Sequence, residues 1–181
     1  MLTSCGFETK AIQKQFLNYI DKSIADVKAL FIPTAAIDAD AIGVLPKCMN
    51  DLLKCKIKKE NITVYDLHKP INNNDLALYD VIYLCGGNAQ YLLSRVNEIG
   101  FNHQLFDFIN RNGIVVGVSA GSLILANNMP DSLSIIKQRL NVHCSNFSCE
   151  KAGIVDENKD CIMLGNEQAL IIENNNLIII E

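Results

Sequence analysis

An apolar stretch, Ile114-Val115-Val116, runs into Gly117-Val118-Ser119-Ala120-Gly121, and a second apolar run, Leu123-Ile124-Leu125-Ala126, follows at once. A G-x-S-x-G turn between a strand and a helix constrains this chain more than any other stretch. The serine takes a strained backbone conformation, and only small neighbours let strand and helix close around it. Its hydroxyl then projects at the carboxyl edge of a sheet. A helix over Ser122 to Asn127 aims unpaired backbone N–H groups at the same spot, which suits an oxyanion. The same spacing also occurs as a buried turn without chemistry. The flanking strand and helix patterns favour a nucleophile elbow here.

Around this turn, helix-like and strand-like segments alternate, as in βαβ units built on a largely parallel sheet. Strands are expected at Leu2-Thr3, Val27 to Ile32, Ile62 to Tyr65 and Val81 to Leu84. Helices are expected over Ala11 to Ile20, about Asp40 to Lys56, about Ala89 to Glu98, and Gln104 to Asn110. Three loops then share the carboxyl edge where ligands bind in such sheets: Ser4-Cys5-Gly6, Cys85-Gly86-Gly87-Asn88 and the elbow. The last third reads differently. Ile162 to Leu164, Ala169 to Ile172 and Leu177 to Ile180 suggest short strands, the final two joined as a hairpin through Asn174-Asn175-Asn176. This end is expected to cover one edge of the sheet, giving an α/β fold in a single domain over residues 1–181.

Composition removes several function classes. No apolar run is long enough to cross a bilayer, and the start lacks the pattern of a signal peptide, so a cytoplasmic protein is expected. A net charge of −4 argues against nucleic acid. Seven cysteines without C-x-x-C spacing read as reduced thiols. Cys144 and Cys149 beside His143 have no second Cys/His pair, so no metal site is expected.

A serine nucleophile needs a base, and the histidines are His68, His103 and His143. His68 sits in a polar loop and His103 at a helix start. His143 lies 24 positions after Ser119, at the end of the strand-like Leu140 to Cys144, and is the expected base. Asp131 leads as the orienting acid because it falls between serine and histidine; Glu150, Asp156, Glu157 and Glu167 stay open. Gly86 and Gly87 let the main chain approach a ligand and, with Asn88 and the N–H of Ala120, form the expected oxyanion and substrate-binding region. A nucleotide loop is disfavoured, because neither glycine-rich phosphate pattern is present.

The blocks Phe31-Ile32-Pro33-Thr34-Ala35-Ala36, Tyr83 to Leu93 and Gly117 to Ser122 resemble the signatures of the peptidase E family, which includes aspartyl dipeptidases and cyanophycinases. The opening Leu2 to Phe7 and closing Asn166 to Ile172 are similar as well. The resemblance implies a three-layer, flavodoxin-like sheet with helices on both faces, related to class I glutamine amidotransferases. It implies a Ser-His-Asp/Glu peptidase without a cofactor, acting on small peptides, with N-terminal aspartate a candidate specificity. An acidic residue would need a cation, and Arg95, Lys137 and Arg139 are on offer. A homodimer is left open; membrane and nucleic acid are not expected partners. Departures stand beside the match. Val142 and Cys144 replace a proline and an aromatic flanking the histidine, the serine-to-histidine segment is shorter, and the family's acid aligns with Asn128. The alternative function is therefore a catalytically impaired member that binds a small molecule or regulates.

Overall fold

The computed structural model describes residues 1–145, 148–173 and 176–181. Strands β1 (Leu2–Thr3), β2 (Ala29–Ile32), β3 (Ile62–Val64), β4 (Val81–Leu84) and β5 (Ile114–Val118) run parallel in the order β3-β2-β4-β5-β1. Helices α1 (Lys10–Asn18), α2 (Ala39–Lys54), α3 (Asn73–Leu76), α4 (Ala89–Glu98), α5 (Phe101–Asn110) and α6 (Ala120–Leu125) connect them. Side chains alternate across the sheet, so successive residues of one strand enter different cores. Phe31, Val81, Tyr83, Val116 and Val118 meet Ile12 and Phe16 of α1 and Leu52 of α2. Leu30, Ile32, Ile82 and Leu84 meet Leu92, Val96, Phe101, Leu105, Phe108 and Ile124 of α4, α5 and α6. The result is the expected three-layer α/β architecture. Both faces of the central strands are covered, which explains their uninterrupted apolar runs.

Further along the chain come β6 (Arg139–Cys144), β7 (Gly153–Ile154), β8 (Cys161–Gly165), β9 (Ala169–Glu173) and β10 (Asn176–Ile180). Antiparallel β9, β10 and β7 extend the sheet beyond β1, with Leu170 opposite Leu2 and Ile172 opposite Leu177. Asn174 and Asn175 of the expected hairpin turn lie outside the described residues. Strand β8 goes elsewhere: it pairs in parallel with β6 as a separate two-stranded ribbon.

Several boundaries move. Helix α5 begins at Phe101 rather than Gln104, because Gly100 in left-handed backbone (φ 71°) separates it directly from α4. Helix α6 begins at Ala120, immediately after the serine. The short α3 and β7 carry too little periodic signal to be read from sequence.

Candidate active site

Ser119 stands between β5 and α6 with φ 47° and ψ −108°, a conformation that costs a non-glycine residue on the order of 1–3 kcal/mol. The surroundings over-determine it. The N–H of Ser119 donates to Thr3 O at 2.9 Å. The Ser122 hydroxyl accepts from Thr3 N at 2.9 Å and donates to Thr3 O at 2.8 Å, binding the first turn of α6 to β1. A Cβ on Gly117 would sit 2.8 Å from Gly121 C and Ser122 N, and one on Gly121 would collide with Leu84 O. Backbone crossings at these two positions explain the glycines of the motif.

His143 Nε2 lies 3.0 Å from Ser119 Oγ. The histidine reaches this place through an irregularity in β6. Asn141 pairs with Met163 but Cys144 pairs with Gly165, so β6 carries one extra residue, and His143 takes φ 59° there. The buried Ser4 hydroxyl fixes the bulge, accepting from His143 N at 3.1 Å and donating to Leu164 O at 3.1 Å.

The other ring nitrogen, Nδ1, meets Asn166 Oδ1 at 2.9 Å and Cys5 Sγ at 3.5 Å. Burial, and then the charge of Glu8, push the Cys5 thiol above its ordinary range, so its sulfur stays protonated at neutral pH. No carboxylate touches the ring among the described residues. Asp131 is elsewhere: its carbonyl accepts from Asn97 Nδ2 of α4 at 3.3 Å, and it lines a surface hollow with Met129, Pro130 and Gln90. The Pro-Asp pair serves its turn, with Asp131 at φ 63°. Asn128, the aligned acid position, spends its amide on β6: Nδ2 donates to Leu140 O at 2.7 Å and Oδ1 accepts from Leu140 N at 3.0 Å.

The loop after β4 closes the site on the other side. Gly87 has φ 134°, and a Cβ there would run into Ala35 O. Gly86 packs on the serine, its would-be Cβ 3.3 Å from Ser119 Cβ. The N–H groups of Gly87 and Ala120 donate to no described residue. Asn88 does not join them: its N–H donates to Ala35 O at 2.7 Å and its Oδ1 caps α4 through Tyr91 N at 2.9 Å. Its Oδ1 thus serves as the cap of α4.

Behind the site, Asp51 of α2 holds the loop that carries Ser4 and Cys5. Its Oδ2 accepts from Phe7 N at 3.0 Å and from Tyr83 Oη at 2.6 Å. Burial raises the Asp51 carboxyl above the usual carboxylate range, with these two donors working against the shift. Asp51 could have been read from the sequence as a polar residue inside the Cys48, Leu52, Cys55 apolar stripe.

The proposed substrate cations do not gather here. Arg95 donates to Leu67 O at 2.7 Å and pairs with Glu98, while Arg139 opens β6 at the end opposite His143, and Lys137 precedes it. No group of three or more His, Cys, Asp or Glu is arranged to hold a metal ion, and no helix is long and apolar enough to cross a membrane, among the described residues.

A search of curated proteins finds no match. Among solved structures, the fold is similar to a 1.5 Å crystal structure from Listeria monocytogenes EGD-e, provisionally named as a peptidase E protein. The TM-score is 0.70 over 99% of this chain and 96% of that one, at 18% identity. The model of peptidase family S51 matches residues 1–147, a span that holds β1, the glycine loop, the elbow and His143. With most of its length matched, the chain belongs to peptidase family S51, a family of serine-type peptidases.

Proposed function

We propose that this peptidase hydrolyses a bond in small peptides with Ser119 as nucleophile and His143 as general base. The 3.0 Å contact between Ser119 Oγ and His143 Nε2 carries the reading, because a weakly acidic hydroxyl attacks only when a base can take its proton. The Ser119 Oγ–H bond breaks as Oγ bonds to the scissile carbonyl carbon, and the proton passes to Nε2. The resulting oxyanion is received by the N–H groups of Gly87 and Ala120. His143 returns the proton to the leaving amine as the C–N bond breaks. Water, deprotonated by the same nitrogen, then releases the acyl group from Ser119. No cofactor enters these steps.

An acidic N-terminal residue in the substrate is a narrower proposal. Lys47 is the cation it draws on: its ammonium pairs with Glu8, so an acidic substrate group would have to share or displace that carboxylate. Free thiols at Cys5, Cys48, Cys55, Cys85, Cys144 and Cys161 are in keeping with a cytoplasmic setting.

The lack of a carboxylate on His143 among the described residues favours one second reading, a binding or regulatory protein that keeps the elbow without turnover. A fluorophosphonate probe separates the two. Covalent labelling of the wild type, abolished in Ser119→Ala, is the expected result; a folded wild type that stays unlabelled would decide for the second reading. Hydrolysis of Asp-X over Ala-X dipeptides, with the preference reduced in Lys47→Gln, tests the specificity.

A further inference from the structure

We infer that Asn166 is the positioning residue for His143, so that the site runs as Ser-His-Asn with a neutral amide behind the base; this deepens, and rests on, the serine-nucleophile reading. Ser119 Oγ lies 3.0 Å from Nε2, while Nδ1 faces Asn166 Oδ1 at 2.9 Å and, farther off, Cys5 Sγ at 3.5 Å. An amide oxygen only accepts, so this shorter contact calls for hydrogen on Nδ1 and leaves the Cys5 sulfur as a second, more distant acceptor. The Nε2 lone pair then faces the serine hydroxyl, which is the tautomer a base requires. Were the amide turned over, its N–H would donate to Nδ1, Nε2 would carry the hydrogen, and no acceptor would remain for the serine proton.

Asn166 is held rather than free to drift. It follows Gly165, whose register partner Cys144 is the residue after His143, so the parallel pairing of β6 and β8 brings amide and ring together. Gln168 closes the turn: its Oε1 accepts from Gly165 N at 3.0 Å and its Nε2 donates to Glu150 O at 2.7 Å. Gln168 is 4% exposed, which anchors the turn in the body of the protein. A rigid support of this kind is what lets one hydrogen bond select a tautomer.

The charged groups around the ring are few. Glu8 and Lys47 approach Cys5 and pair with each other, with Asp51 behind them bonded to Phe7 N and Tyr83. Glu150, reached through Gln168, pairs with Lys159. Glu167 follows Asn166 in the chain and is exposed. The imidazolium that forms during attack therefore has a dipole, not an anion, on Nδ1. A carboxylate at the same place would favour the charged ring more strongly.

The test uses the full chain labelled with ¹⁵N-histidine, in which the three histidines give the signals and His143 is to be identified by its loss in His143→Gln. The wild type is expected to show hydrogen on Nδ1 and a bare Nε2. Asn166→Ala should shift the ring toward hydrogen on Nε2 and lower the fluorophosphonate labelling rate at least about tenfold. Asn166→Asp should restore the Nδ1 tautomer and recover the labelling that Asn166→Ala loses. Glu167→Gln should change neither. Hydrogen on Nε2 in the wild type, an unchanged tautomer in Asn166→Ala, or loss of the tautomer in Glu167→Gln would overturn the assignment. If the tautomer behaves as expected but no form of the protein is labelled, the nucleophile reading fails and the positioning role of Asn166 stands.

Discussion

The Ser4 hydroxyl and the His143 backbone N–H are 3.1 Å apart, and the same hydroxyl donates to Leu164 O, so one buried side chain bridges both strands of the ribbon. The bond matters because His143 sits at positive φ in a bulge, where the ladder cannot hold it. Ser4→Ala should cost about 1–3 kcal/mol in chemical denaturation, the usual effect of orphaning buried partners. The labelling rate of Ser119 should fall with it. An unchanged rate in a folded variant would mean that the ribbon holds the ring unaided.

Backbone strain at Ser119 has a separate signature. Glycine tolerates φ 47° and ψ −108° where alanine does not. Ser119→Gly should therefore be more stable than Ser119→Ala by about 1–2 kcal/mol, although glycine ordinarily destabilises. Urea midpoints of the two variants decide this, and the reverse order would remove the strain argument.

Asp51 gives a pH dependence whose sign follows from its raised carboxyl. The unfolded chain releases this proton in the ordinary carboxylate range while the folded chain keeps it to higher pH. The contribution of Asp51 to stability is thus greatest at low pH and is lost as pH rises through its raised pKa. Asp51→Asn, whose Oδ1 can still accept from Phe7 N and Tyr83 Oη, should be no less stable at pH 7 and should lose this part of the slope. Asp51→Ala strands both donors and should cost about 2–4 kcal/mol. Parallel denaturation curves from pH 4 to 8 would expose a wrong sign.

Restoring an acid at the aligned position is not expected to help. In Asn128→Asp a carboxylate oxygen replaces the Nδ2 that donates to Leu140 O at 2.7 Å, turning a bond into a repulsion. Stability should drop by about 1–3 kcal/mol and labelling should not rise. A faster reaction in this variant would return the acid role to that segment.

Gly87→Ala tests the loop after β4. A methyl group there meets Ala35 O from a backbone at φ 134°, so the loop must move away from Ser119. A loss of at least about 2 kcal/mol and of probe reactivity is expected. If reactivity survives intact, the Gly87 N–H is not an oxyanion donor.

The parallel sheet was legible because strands buried on both faces write continuous apolar runs, and the elbow because backbone crossings at Gly117 and Gly121 exclude every larger residue. His143 could be chosen because only three histidines compete and one of them ends a strand. Asn166 could not. Its place depends on the pairing of β6 with β8, a non-local register that no periodicity encodes, and an asparagine in a turn looks like turn chemistry. Asp131 misled for the opposite reason: chain order between serine and histidine carries no information about which side of α6 the intervening turn faces. Asn88 was placed beside the glycines by sequence, and its Oδ1 also meets the demand of the α4 N-terminus for a cap.

The two-stranded ribbon has a consequence for how this chain can vary. Ser119 belongs to the large sheet, whereas His143 and Asn166 belong to β6 and its partner β8. The ribbon is fastened by Ser4, by Asn128 and by Leu140, Ile162 and Leu164 in the core, and the short stretch before it is anchored to α6 by Leu133 N on Ile124 O at 2.9 Å and Ile135 N on Leu125 O at 2.8 Å. Residues inserted at its exposed positions, such as Asp131, Ser134 or Lys137, are expected to be tolerated, whereas a change at the buried Leu133 or Ile136 would reach the core beside α6. A short connection between nucleophile and base is therefore compatible with a complete pair.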